Sequence, residues 1–507
     1  MTLPFLAPSS DYETSYAAAY AYGCISLLTF YLARVAFLCW LSPLSHIPGP
    51  LLARFTRLWE VYCLRKYDNP AHHIALHDKY GPVVRLAPNR YSVNDTEAVK
   101  TILGYKNVMD KSRYYYPFGH PDEYNTFTEP STHAHAQLRR PMAQLYSTTS
   151  LISYEPFIDD CNNILLERLK GHATNNDALD VRELMQYYAF DVIGEITVGS
   201  RFGFLEENRD KGSIIQAIDE SVTWGAIVGL LPDVHWWMGK VGGILGMEPS
   251  ILKIRDFVNK NLNDRIAGRN KLPDDRQNFL DKMLRLEQEG TVTRFHTNTV
   301  CLQNIAAGSD TTAISLSAII AYLSMYPETL ATLRQEFQDA TNRSQLSDPA
   351  TYKEAQKLPY LQAVILETLR LHPAIGTLMV RVVGPEGTHI AGHYFPPGTE
   401  VGINAWVIHN NKDIFGCDAS IFRPERWLTK NSEERAFLNR NFLAFGGGPR
   451  TCIGKNISYL EMLKVIPQIV RKFDFEILPH EKTGQLYTWK TRWFAKPSFK
   501  CLVKARS

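Results

Sequence analysis

The stretch that most narrows what this 507-residue chain can fold around is Asn441–Gly454, and within it Phe445-Gly446-Gly447-Gly448-Pro449-Arg450-Thr451-Cys452-Ile453-Gly454. The glycine triplet and Pro449 cannot continue a helix. The apolar, helix-compatible run Ile457 to Ile469 follows at once, so Cys452 is expected in an irregular loop near a helix N-terminus. Unpaired backbone N–H groups and the helix dipole favour a thiolate there. The neighbours suit a sulfur ligand to a flat, anionic porphyrin: Phe445 to cover the sulfur, Arg450 to pair with a propionate, Gly448 and Gly454 to let backbone approach the ring. A bare Cys-x-Gly would equally describe a buried, inert thiol.

Three other stretches carry chemistry-bearing residues. A long helix is expected from about Thr293 to Met325, ended by Pro327, which opens the next helix. It contains Ala306-Ala307-Gly308-Ser309-Asp310-Thr311-Thr312, whose glycine, acid and β-branched hydroxyls disfavour a helix interior. Either something other than local stability keeps them there, or Ser309 or Asp310 caps a new helix after Gly308. A helix from Pro359 to Leu371 places Glu367 and Arg370 one turn apart, which as an exposed pair would count for little. His135-Ala136-Gln137-Leu138-Arg139 puts an imidazole and a guanidinium on one helix face; with Arg140 it also reads as a solvated basic face.

The spacing Phe-x-x-Gly-x-Arg-x-Cys-x-Gly resembles the haem-binding loop of the cytochrome P450 family, and every signature position is filled. Ala306–Thr312 resembles that family's oxygen-side helix, Glu367-Thr368-Leu369-Arg370 its Glu-x-x-Arg pair, and Phe422-Arg423-Pro424-Glu425-Arg426-Trp427 the segment that brings a second arginine to it. The motifs occur in the family's order, from about Pro48 to the C-terminus. The likeness is greatest to fungal microsomal members of secondary metabolism, of the pisatin-demethylase kind. It implies a mainly α fold with minor β, a single unit around a buried haem b whose iron is ligated by Cys452. It implies Asp310 and Thr311 as proton donors to bound oxygen, and Glu367, Arg370 and Arg426 as a structural triad behind the haem. His135, Arg139, Arg381 and Arg450 are the implied propionate partners, although Val380 stands where the family usually has a proline before that arginine, and no Trp precedes His-x-x-x-Arg. The implied activity is hydroxylation or related oxidation of a small, largely apolar organic substrate with O2, electrons coming from NADPH-cytochrome P450 reductase with cytochrome b5 as an optional second donor. A haem-thiolate isomerase or dehydratase working without O2, and a non-catalytic haem sensor, are the other readings. Aromatic residues at Tyr114-Tyr115-Tyr116-Pro117-Phe118 to Phe127, the stretch Ala374–Met379, and Trp493-Phe494 fall where relatives line the substrate pocket; they would also serve as ordinary core.

The N-terminus sets the expected location. Ala17 to Ala33 carries no charge and continues past Arg34 to Leu41, a length that spans a bilayer with some tilt. Asp11 and Glu13 precede it and Arg54, Arg57, Arg65 and Lys66 follow, which opposes a cleaved signal and places the body in the cytosol. Residues 17–41 are thus expected to be a single-pass endoplasmic reticulum anchor, 42–50 a proline-rich hinge, and 51–507 the catalytic domain. Net charge is +3 with dispersed charges, so no nucleic-acid partner is expected. The eight cysteines show neither zinc spacing nor a disulfide framework.

Overall fold

The computed structural model describes residues 10–37, 41–106, 108–119, 124–244, 250–269 and 276–506. Its first helix, α1 (Ser10–Ala36), starts before the expected span and ends short of Leu41; residues 38–40 lie outside the described residues. Tyr20, Leu27, Leu28 and Phe30 along it are exposed. Among the described residues, the helix long and apolar enough to cross a membrane by length and composition is another one, Arg294–Met325, and most of it is buried inside the protein. The proline-rich stretch after α1 does not swing free. Leu44 and Ile47 are buried, the Arg85 N–H donates to the Pro48 carbonyl at 2.8 Å, and the Arg85 guanidinium donates to the Leu44 carbonyl at 2.5 Å. An irregular segment needs such donors, because it has no ladder of its own.

The alternating apolar residues of Gly81–Pro88 and Arg90–Val93, bounded by Gly, Pro and Asn, read as a short hairpin, which forms as β1 (Val83–Ala87) and β2 (Arg90–Val93). Helix α2 (Thr96–Leu103) is capped by Asp95, whose carboxylate accepts the Ala98 N–H at 2.8 Å, and it buries Ala98, Val99, Ile102 and Leu103 on one face. Then come β3 (Asp110–Lys111), a 3-10 turn Arg113–Phe118, α3 (Thr132–Arg139), α4 (Val181–Val198) and α5 (Ile214–Val228). Helix α6 (Arg294–Met325) follows, then α7 (Pro359–Leu371), β4 (Met379–Val382), β5 (Glu400–Ile403) and α8 (Lys455–Lys472). The C-terminal part includes the antiparallel hairpin β6 (Thr488–Thr491) and β7 (Ala495–Ser498). One mixed sheet runs β1-β2-β5-β4-β3, with β2 and β5 parallel and the other neighbours antiparallel. The fold is therefore mainly α with minor β, as expected.

By residue pattern alone, Glu400–Trp406 and Pro373–Val380 read as strand-like runs, and the structure bounds both differently. The run expected from Glu400 to Trp406 stops at Ile403, because the Asn404 side chain accepts the Trp406 N–H at 2.9 Å and starts a short helix, Ala405–His409. The run expected from Pro373 to Val380 is strand only from Met379, so Arg381 lies within β4. Its first part pairs instead with the C-terminal chain: Gly376 N–H donates to the Trp493 carbonyl at 2.9 Å, and Ala495 N–H to the Ala374 carbonyl at 2.8 Å.

Helix α6 is unbroken through Gly308, which excludes a cap at Ser309 or Asp310. Its mid-helix hydroxyls are satisfied locally: Ser309, Thr311, Ser315 and Ser317 each donate to the carbonyl four residues back. Gly308 lets α4 come close, since a Cβ there would lie 3.2 Å from the Ile193 side chain. Tertiary packing against α4 thus overrides a poor local helix propensity.

Candidate functional site

Gly448 takes φ +61°, and a Cβ on it would lie 1.7 Å from the Leu103 carbonyl oxygen, so glycine is needed where the loop meets the end of α2. Gly454 has open space beside it apart from the Cys452 sulfur at 3.9 Å. The loop closes through the Cys452 N–H, which donates to the Phe445 carbonyl at 2.9 Å, while the Phe445 ring packs on Tyr459 of α8 at 5.4 Å. Gly454 is the N-cap of α8, and the Gly454 and Lys455 backbone N–H groups point at the Cys452 thiol. Cys452 presents an exposed surface, yet the protein atoms crowded around its thiol desolvate it and push its pKa up; those two N–H groups, Arg139 and Lys455 oppose the shift. An added positive charge at the sulfur would complete the thiolate.

Around the loop, cations gather from separate elements. Arg139 of α3 donates to the Thr451 carbonyl at 2.6 Å; Arg450 donates to the Glu129 and Pro130 carbonyls at 2.8 and 2.7 Å and leaves Nε buried without a partner. Arg381 of β4 donates to its neighbour's carbonyl at 3.0 Å. His135 is buried, and burial together with Arg450, Lys111, Arg139 and Arg381 depresses its pKa to about 3. Burial and Arg381 likewise draw Arg450 down to about 10. The four basic residues expected from sequence therefore do converge. Lys111 of β3 joins them and was not expected: it is buried, donates to the Phe127 carbonyl at 2.5 Å, and sits 4.5 and 4.3 Å over the Tyr115 and Phe127 rings. Burial, Arg381 and Arg450 hold its pKa well below the usual lysine range. Among the described residues no carboxylate reaches ion-pair distance of any of these cations. A cluster of buried and half-buried basic side chains, whose pKa values are depressed by burial and by one another and which includes an orphaned guanidinium nitrogen, fits a group bearing carboxylates, as the two propionates of haem b would supply.

On α6 the two expected proton donors face different surroundings. Thr311 is half-buried and its hydroxyl donates to the Ala307 carbonyl at 2.9 Å. Asp310 is fully buried: Gln186 of α4 donates to its Oδ1, and Lys496 of β7 lies 2.8 Å from the same oxygen and 2.5 Å from Asp219 of α5. Its Oδ2 is buried without a partner. Burial raises the Asp310 pKa, Lys496 pulls it back, and Asp219 adds to the rise. Thr312 contacts Ser458 of α8 at 3.1 Å, tying α6 to the helix that follows Cys452.

Glu367 and Arg370 are wholly buried, not an exposed pair. Arg370 donates through Nε and Nη2 to the two Glu367 oxygens at 2.8 Å each, and Arg426 Nε donates to Oε1 at 3.0 Å. Sequence reasoning missed two members. Trp427 Nε1 donates to Oε2 at 2.9 Å, and it follows Arg426 directly, so the signal was present. His409 contacts the Arg370 carbonyl at 2.8 Å through Nδ1 and accepts the Leu443 N–H at 2.8 Å through Nε2, linking the triad to the cysteine loop; nothing local in the sequence marks it.

The aromatic residues also come together. Tyr114, Tyr115, Phe118 and Phe127 surround Trp493, with ring centroids 6.2, 6.5, 4.4 and 6.0 Å away. Ile314 of α6, one turn beyond Thr311, and Ala374 belong to the same apolar cluster. Tyr116 instead packs on Tyr124.

Comparison with known proteins agrees with this geometry. The Cytochrome P450 family profile matches residues 48–503. Two proteins of Fusarium vanettenii, each named pisatin demethylase, are 41% and 40% identical to the chain over 95% of it, and over 93% and 94% of their own lengths. A cytochrome P450 monooxygenase of Aspergillus terreus is 36% identical over 85% of the chain and 90% of its own length. Members of this family bind haem b through a cysteine thiolate and act with a redox partner and O2 on organic substrates. A profile match over nearly all of the body, with relatives this similar along almost their whole length, makes the chain a member of the cytochrome P450 monooxygenase family.

Proposed function

We propose that the chain oxidises a flat, largely apolar organic compound of fungal secondary metabolism, taking electrons from NADPH-cytochrome P450 reductase, and that the Cys452 thiolate would hold the iron of haem b. The observation that carries the reading is the cysteine held at the N-terminus of α8 beside basic side chains, Lys111, His135, Arg139, Arg381 and Arg450, that among the described residues have no carboxylate at ion-pair distance. Bound there, the haem would supply thiolate-assisted O2 activation and oxygen-atom transfer. His135, Arg139, Arg381 and Arg450 would hold its propionates, with Lys111 beside them, and Phe445 would shield the sulfur. Glu367, Arg370 and Arg426 act as scaffold.

Proton supply falls to α6. The Thr311 hydroxyl, which needs only to turn from the Ala307 carbonyl, relays a proton at Oγ1. The raised pKa of Asp310 and its free Oδ2 suit it to carry a proton inward. The aromatic cage around Trp493 orients a planar ring and excludes water from it. The relatives' name, pisatin demethylase, favours oxidative removal of a methyl group, or hydroxylation, as the reaction class. Helix α1 would anchor the enzyme in the endoplasmic reticulum with the body in the cytosol, Arg54, Arg57, Arg65 and Lys66 lying on the cytosolic side.

The test is the carbon-monoxide spectrum of the reduced, haem-replete protein. A red-shifted Soret band, lost in Cys452→His while haem is retained, is the expected result; an unshifted band in the folded wild type rejects thiolate ligation. Methoxylated planar aromatics should then produce the low-to-high-spin shift more readily than aliphatic compounds of similar size.

A further inference from the structure

The proline-rich segment that follows α1 meets a distant hairpin through two histidines that the haem site does not use. His46 Nε2 and His393 Nδ1 stand 2.8 Å apart, with ring centroids 4.9 Å apart and planes tilted by 34°. One nitrogen of that contact carries the hydrogen and the other the lone pair, so the acceptor ring is neutral. Burial and His46 both depress the His393 pKa, which keeps its lone pair available near pH 7.

Both rings hang from held backbone. The carbonyls on either side of His46, those of Ser45 and Ile47, accept from the Arg54 guanidinium at 2.9 and 3.4 Å, and Ile47 is buried. His393 opens the strand His393–Phe395, which pairs antiparallel with Thr388–Ile390. The two residues between them, Ala391 and Gly392, take φ +47° and +80°, as a tight hairpin turn requires. Register sets His393 opposite Ile390 and His389 opposite Tyr394, so His389 lies on the other face of the hairpin. Two imidazoles on fixed supports with their nitrogens facing each other act as a chelate, because little freedom is left to lose on binding.

We infer that His46 and His393 form a binding site for one divalent transition-metal ion of the Zn2+ or Cu2+ kind, which fastens the chain after α1 to the hairpin. A tetrahedral ion with ordinary metal–nitrogen bonds holds two imidazole nitrogens about 3.3 Å apart, so the observed pair opens by about 0.5 Å and turns both ring edges towards a common point. Imidazole donors select such ions over Mg2+ and Ca2+, which prefer oxygen. Among the described residues no third histidine, cysteine or carboxylate joins the pair; His46 is exposed, so water takes the remaining positions. The site stands apart from the haem reading and does not rest on it.

Titration calorimetry with ZnCl2 on the full-length, haem-containing protein tests the inference against His46→Ala, His393→Ala and His389→Ala. Wild type should bind one equivalent that His46→Ala and His393→Ala each lose or weaken by about tenfold or more, no less than the loss of a mere supporting residue costs. His389→Ala, on the opposite face, should bind as wild type does. Zn2+ should also raise the thermal midpoint of wild type but not that of the double variant His46→Ala, His393→Ala. Equal stoichiometry and affinity in wild type and the double variant means an adventitious ion only and overturns the inference, as does an equal loss in His389→Ala. If a variant is already destabilised in EDTA, electron paramagnetic resonance of Cu2+ added to wild type decides alone: splitting from two nitrogens supports the site, and splitting from one or none rejects it.

Discussion

Glu367 accepts hydrogen bonds from the buried Arg370, Arg426 and Trp427 side chains and from the Arg423 N–H at 3.0 Å, and neither its own carboxylate nor Arg370 has any exposure to water. Burial alone would raise its pKa, yet Arg370 and Arg426 bring it below the usual range, so it is a carboxylate. Glu367→Ala leaves the buried Arg370 guanidinium without a carboxylate and Arg426 with only Asp418 at 3.4 Å, and should cost about 3–5 kcal/mol, read as a fall in the denaturation midpoint together with haem loss. His409 behaves oppositely. Burial and Arg370 depress its pKa to about 3, and only the neutral ring can donate from Nδ1 to Arg370 while accepting the Leu443 N–H. Its unfolded pKa lies near 6.5, so the unfolded chain binds the extra proton. Its contribution is complete above pH of about 6.5 and declines as pH falls towards 3. Acid should therefore loosen the cysteine loop before it reaches Glu367, whose share is lost only below about 4.5. Urea midpoints measured from pH 7 to 4 should fall with a slope that His409→Gln makes shallower; an unchanged slope would clear His409 of this role.

Elements carry the next level, since the site is made where they meet. The cysteine loop depends on α2, whose terminal Leu103 carbonyl fills the space beside Gly448. Gly448→Ala combines a clash with backbone and an unfavourable positive φ, so the loop must leave α2. The variant should express with little bound haem, whereas Gly447→Ala, whose Cβ would meet only ordinary contacts at 3.5 Å and beyond, should retain it. Asp310 ties three elements to α6, because Gln186, Asp219 and Lys496 come from α4, α5 and β7. Lys496 lowers its pKa and Asp219 raises it. Lys496→Met should thus shift the alkaline limit of coupled turnover to higher pH, and Asp219→Asn to lower pH, if the proton that Asp310 holds is the one delivered. The measure is product formed per NADPH consumed across pH; a profile indifferent to both substitutions removes Asp310 from proton delivery.

At the scale of the whole molecule, what the sequence makes legible is what sits at fixed local spacing. The ten residues Phe445–Gly454, the α6 segment Ala306–Thr312, and the Glu367/Arg370 turn each carry their geometry within one loop or helix, so their local spacing could be read directly. Lys111, His409 and Lys496 were invisible because their meaning lies in residues of other elements: Arg381 and Arg450 for Lys111, Arg370 and Leu443 for His409, Asp310 for Lys496. The strand edges at Ile403 and Met379 were misjudged for a related reason: a side-chain cap at Asn404 and a pairing with Trp493 outweighed the local pattern. Helix α1 is the reverse case, strongly patterned in sequence yet without burial against the body. Tyr20, Leu27, Leu28 and Phe30 stay exposed, while Leu44, Ile47 and Arg85 fasten the chain just beyond. Apolar side chains left in water along a whole helix need a second apolar phase, and a bilayer supplies one. The body's own stability should depend little on that helix, which among the described residues reaches the body through an exposed 3.4 Å contact from the Tyr31 hydroxyl to the Phe55 carbonyl, while buried packing begins at Leu44. Deleting residues 1–41 should leave the carbon-monoxide band and the thermal midpoint unchanged and move the protein from the microsomal pellet towards the soluble fraction. A truncated form that loses haem would show that α1 contributes to the fold; one that stays wholly with the pellet at high salt would show that exposed residues of the body, such as Leu51, Leu52, Leu58 and Trp237, hold the membrane unaided.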